Sequence, residues 1–215
     1  MNLTPNAPRR ITMTANPDEL DLKDRLSLIE SMIAEGRRTT ESWGWTFVLW
    51  GVAYYVAILW AVLGQNVVAW PVTMTAAGVL TGVLGSRRAA RRPDTTVGRA
   101  MLAIWFGMGV STFIVMMSLG ISGRLELHGA VAIVGAMLGA ANATSGIILK
   151  WKMQFACAVV WWASAAVSCF ISEIQAGILF VVAIFFCQIV FGFYGMVAES
   201  RKRKAAGAGQ GVSHA

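Results

Sequence analysis

The residues best able to do chemistry inside this chain are few and uncharged. Asn142, Thr144 and Ser145 form the most polar cluster within an apolar run, and Gln188 is an isolated amide in a later one. An unpaired amide in an apolar medium is costly, so each should face another helix or a water-lined space. If Asn142 and Gln188 met, they would form a hydrogen bond between helices or line a small polar site. His128 stands near the start of one run, and its only companion is His214 in the tail. A metal or haem centre needs several ligands or a supported axial one, so no cofactor or metal is expected. Cys157, Cys169 and Cys187 all fall inside apolar runs without CxxC spacing, which suits packing better than disulfides or zinc.

No phosphate loop of the GxxxxGK[ST] type, no HExxH, no GxSxG elbow and no pair of carboxylates in one layer occurs. The apolar runs carry no Asp, Glu, Lys, Arg or His near their middles. Ion-coupled transporters commonly use such groups, so a carboxylate-driven pump, a voltage sensor and an enzyme are all disfavoured.

The elements that hold these residues follow from composition. Of 215 residues, 56% are hydrophobic and 13% charged, about half the charge of an ordinary soluble domain. Six apolar runs, about 43–63, 67–85, 98–119, 127–149, 153–171 and 177–197, each have the length that crosses a bilayer, with Arg99 at the edge of the third their one Lys or Arg. The expected fold is all-α, a polytopic six-helix transmembrane bundle over residues 43–198. Alternate gaps hold the basic residues, among them Arg87, Arg88, Arg91, Arg92, Lys150 and Lys152, with Arg201 to Lys204 after the last run. Arg124 is the only Lys or Arg on the opposite face. The positive-inside rule then puts both termini in the cytoplasm. The net charge of +7 is expected to meet lipid headgroups rather than nucleic acid. Arg-over-Lys, Ala- and Gly-rich usage suggests a bacterial cytoplasmic membrane, with the first run acting as insertion signal and permanent span.

Small residues four apart allow helix backbones to approach in lipid. Such spacing occurs at Gly78 and Gly82, and again at Gly135, Gly139 and Ala143, which makes the fourth run the expected central helix. Five tryptophans, Trp43, Trp45, Trp60, Trp70 and Trp151, fall near run ends, where indoles suit the headgroup zone. Trp50, Trp105, Trp161 and Trp162 lie deeper and are expected to pack the bundle.

Ahead of the bundle, residues 1–15 read as a flexible tail, and 16–42 as an amphipathic helix with a basic juxtamembrane segment. Asn16, Pro17 and Glu19 make a helix start. Leu22, Leu26, Ile29 and Ile33 then form one apolar stripe. Its flanks carry Asp18, Glu19, Asp21, Asp24, Glu30 and Glu35 against Lys23 and Arg25. Helices lying on membranes usually have basic polar faces, so this acidic one is expected to bind a protein partner or a second copy through residues 17–35. Residues 199–215 read as a basic, disordered tail. The favoured function is a non-enzymatic scaffold, sensor or regulatory subunit that presents this helix. The alternative is a small channel or uncoupled transporter with a polar route near Asn142 and Gln188.

Overall fold

Six long helices follow one another with short turns in a computed structural model, which describes residues 25–31, 44–66, 68–89, 96–198 and 200–201. They are α1 (Gly44–Gly64), α2 (Ala69–Ala89), α3 (Thr96–Ile121), α4 (Leu127–Ile148), α5 (Lys152–Ser168) and α6 (Glu173–Ile184). The last continues through a π-helical stretch, Phe185–Val190, to Ala198. No strand occurs among the described residues. Residues 25–31 form a further helical segment.

Four helices, α1, α3, α4 and the continuous Glu173–Ala198, are long and apolar enough to cross a membrane. The other two differ for local reasons. Thr73, Thr75, Thr81 and Ser86 dilute the apolarity of α2, and α5 has only 17 residues, about 25 Å of helix. Large apolar side chains cover the outside of the bundle, including Val52, Leu63, Phe106, Ile114 and Phe186. Water would not tolerate an apolar exterior of that extent. A lipid environment would.

Two turns explain the sharp reversals. After α3, Arg124 N–H bonds Leu119 C=O and Gly123 N–H bonds Gly120 C=O, with Gly123 at φ 68°. After α4, Trp151 N–H bonds Gly146 C=O and Lys150 N–H bonds Ile147 C=O, with Lys150 at φ 50°. Both are Schellman closures, and the second uses a lysine where glycine is usual. The helix after Ser168 begins earlier than the sequence reading, at Glu173, because Ser172 and Gln175 cap each other reciprocally.

The order of packing is set by glycine. α4 is the central helix, 56% buried over its apolar window, whereas α3 is 6% buried. Along the α4–α5 seam, a Cβ on Gly135 would sit 3.0 Å from the Trp161 carbonyl, and one on Gly146 would sit 2.8 Å from the Phe155 nitrogen. Between them Gly139 lies under the Trp162 indole. A second seam joins the first helix to the last. Gly44 faces the Gly192 carbonyl and the Met196 nitrogen, and Gly51 faces Gln188 and Ile189. By contrast Gly78 and Gly82 of α2 have open space above them, so that stripe does not pack within the chain.

Aromatic side chains fill what the glycines leave. Phe47 meets Trp105 and Phe191 edge-on at 5.3 and 5.0 Å, and Trp151 meets Phe191 at 5.0 Å. Farther along, Phe180 joins Tyr54 and Trp161. Trp151 is 3% exposed, so it is a core residue rather than the headgroup anchor its position suggested. The Lys150 turn folds it inward.

Adding a methyl at a closed glycine and at an open one separates packing from helix propensity. Gly146→Ala is expected to lose about 1–3 kcal/mol through overpacking, while Gly82→Ala, with open space for its methyl, gains up to about 1 kcal/mol from helix propensity. Thermal unfolding in detergent micelles reads both.

Candidate functional site

The seam between α4 and α5 buries more than apolar atoms. Asn142 of α4, Gln154 and Trp161 of α5 are 0% exposed, and Gln188 of α6 is 2% exposed. Asn142 Nδ2 donates to the Leu138 carbonyl of its own helix at 2.8 Å. Its Oδ1, both amide atoms of Gln154, Gln188 Oε1 and Trp161 Nε1 have no hydrogen-bond partner among the described residues.

Known contacts fix the levels of these groups along the bundle. Gly139 lies at Trp162 and Gly146 at Phe155, so Asn142 is level with about Ala158 of the antiparallel α5. Cys187 Sγ approaches the Cys157 carbonyl at 3.8 Å, which sets Gln188 beside the same level. Gln154 is three residues before Cys157, and Trp161 is four after it. These amide and indole atoms therefore fall within roughly two helical turns along the bundle axis, about 10 Å, while two further buried hydroxyls without partners among the described residues, Thr46 Oγ1 and Thr81 Oγ1, lie elsewhere. The π-helical stretch centres on Gln188, where the α-helical register is broken. Such stretches frequently mark functional positions.

Of the sequence-derived polar set, Asn142, Ser145 and Gln188 are buried and Thr144 is not. Thr144 lies on the exposed face of α4 and donates to the Ala140 carbonyl at 2.8 Å. Ser145 accepts from Trp105 Nε1 at 3.2 Å, which ties α3 to α4. No hydrogen bond joins Asn142 to Gln188 among the described residues. Gln154 and the Trp161 N–H are functional candidates that the sequence reading passed over. Gln154 stands two residues after Lys152, where a polar residue looks like part of the basic turn. Its legible signal was its α-helical spacing to Cys157, Trp161 and Ala165.

Polar bonds elsewhere hold the frame. Tyr55 Oη donates to the Val181 carbonyl at 2.9 Å across α1 and α6. His128 Nε2 pairs with the Ile171 carbonyl at 2.7 Å. A carbonyl can only accept, so this nitrogen carries the proton, and the histidine acts as a tie between α4 and the turn before α6. Among the described residues no group of three or more His, Cys, Asp or Glu is placed to hold a metal ion. Cys157 and Cys187 are buried free thiols, and Cys169 is exposed.

At the periphery, Leu26 and Ile29 of the proposed partner-binding stripe are 52% and 53% exposed. Leu22 and Ile33 lie outside the described residues, as do the cap at Asn16–Pro17, the tail 1–15 and the chain beyond Arg201. Arg87, Arg99, Lys150, Lys152 and Arg201 are exposed near one end of the bundle. Arg124, Glu126 and Glu173 are exposed at the other.

The Trp105–Ser145 bond gives a measurable coupling. A double-mutant cycle with Trp105→Phe and Ser145→Ala is expected to return about 0.5–1.5 kcal/mol, the usual range for interhelical bonds in membrane bundles. Comparison of the chain with protein-family models, curated proteins and solved structures finds no match.

Proposed function

We propose that this chain is a six-span integral membrane protein acting as a scaffold, sensor or regulatory subunit. It presents the acidic helix 17–35 to a cytoplasmic protein partner. The carrying observation is the exposure of Leu26 and Ile29, with Leu28 beside them. An apolar stripe left uncovered by its own bundle is a surface for another protein. Its acidic flanks favour a partner with a basic rim around an apolar groove.

The six-span reading draws support from two further facts. Gly44 packs on Gly192 and Met196, so the outer ends of the first and last helices are side by side, as an even number of antiparallel spans requires. The exposed cations Arg99, Lys150, Lys152 and Arg201 belong to that same end, which the charge-bias rule assigns to the cytoplasm. At 17 residues α5 is at the short limit of a span, and α2 at 21 residues has full length. Solute passage is the weaker reading. Thr144 faces outward and Asn142 turns its amide back on Leu138.

Deleting residues 16–35 is expected to leave insertion intact and to abolish crosslinking to the partner or to a second copy. Association that survives the deletion would overturn the reading. Topology has its own check, with single cysteines introduced at Gln65 and Ala89 in intact cells. Gln65→Cys should react with an impermeant thiol reagent from outside and Ala89→Cys should not.

A further inference from the structure

We infer that Asn142, Gln154, Gln188 and Trp161 form one buried binding site for water, between α4, α5 and α6. The site is independent of the cytoplasmic helix. Three amide oxygens, one amide NH2 and one indole N–H are buried there without partners among the described residues. Each such group left bare carries the full cost of its lost hydration. Evolution ordinarily fills such positions with hydrogen-bonding partners or removes the polar atoms. The set contains both acceptors and donors, so its ligand must offer both.

Charge and space narrow the class. Asn142, Gln154, Gln188 and Trp161 are neutral, and the ionisable groups near this level are the thiols Cys157 and Cys187 and the phenol of Tyr54, which shares Phe180 with Trp161; all three are uncharged at neutral pH. A bare cation would keep its full desolvation cost with no carboxylate to offset it. The ligand is therefore uncharged. Gly139 and Gly146 draw the two backbones so close that even a methyl on either would collide with α5. So close a seam excludes a bulky ligand. A buried water typically makes about three hydrogen bonds, and groups spread over about 10 Å along the helices suit a short file of such waters. The π-helical stretch spans Gln188, which is buried with its Cβ against Gly51 of α1, and it breaks the α-helical ladder of α6 beside the site.

Hydroxyl-radical footprinting by short X-ray pulses tests the site, since radicals form from water and oxidise buried side chains only beside it. The full chain is used in lipid nanodiscs. Trp161, Cys157 and Cys187 are expected to be oxidised despite their burial, while Ile184, 0% exposed and on the same helix as Cys187, is spared. Asn142→Leu and Gln154→Met should each reduce that oxidation to the level of Ile184. Unoxidised Trp161 and Cys187 in the wild-type protein would overturn the proposal and mean that the amides bond one another directly. Oxidation that persists unchanged in both variants would also overturn it, by locating the water elsewhere. The wild-type measurement decides by itself if a variant fails to fold.

Discussion

Close backbone contact through glycine is the constraint on which the bundle depends. Inside a bilayer, apolar side chains gain little by leaving lipid for protein, so association rests on packing and a few polar bonds. The α4–α5 seam supplies that packing at Gly135, Gly139 and Gly146, and the α1–α6 seam supplies it at Gly44, Gly51 and Gly192. Other features follow from these approaches. The Trp162 indole closes over Gly139 and donates to the Ala136 carbonyl at 3.3 Å. Trp161 packs against Phe180 where α5 meets α6. Polar groups at the α4–α5 seam are shut away from solvent because the backbones meet there.

The second organising fact is the contrast between neutral interior and charged ends. Buried polar groups in the described bundle are amides, hydroxyls, an indole, two thiols and the Tyr54 phenol, none of which is ordinarily charged at neutral pH. Any work done inside must therefore run on hydrogen bonding and shape. Cations and carboxylates are left to the two rims and to the segment ahead of α1, where a partner can meet them.

Much of the fold was legible in the sequence, because an apolar run bounded by charges leaves a helix few alternatives. The fourth run was readable as the centre from its small residues, and its helix ends agree within a residue of 127–149. The α1–α6 seam was not readable, since Gly44 and Gly192 are distant in sequence and neither belongs to a four-residue small motif. Gly78 and Gly82 made the opposite error: the motif is present and its partner is absent from the described chain. Spacing reports that a helix can be approached, never by what. The π-helical stretch at Phe185–Val190 contains neither glycine nor proline, so local sequence gave no sign of it. Thr144 and Ser145 show the same limit at a finer scale. They are neighbours in sequence, yet a helical step of about 100° turns one outward and the other to the core.

The Gly44–Gly192 contact has a consequence for synthesis. α4 and α5 are adjacent in sequence and can pair as soon as both have been made. The glycine face of α1 has no such neighbour, because the surface it fits belongs to the last helix. At a typical translation rate the interval between the two glycines is on the order of ten seconds. During that time α1 holds α2 and, through Phe47 and Trp105, α3, while its glycine face has no partner. The bundle is therefore closed from the end of the chain backward, and a truncated product lacking α6 would leave the first helix with its glycine face exposed to every other protein in the membrane.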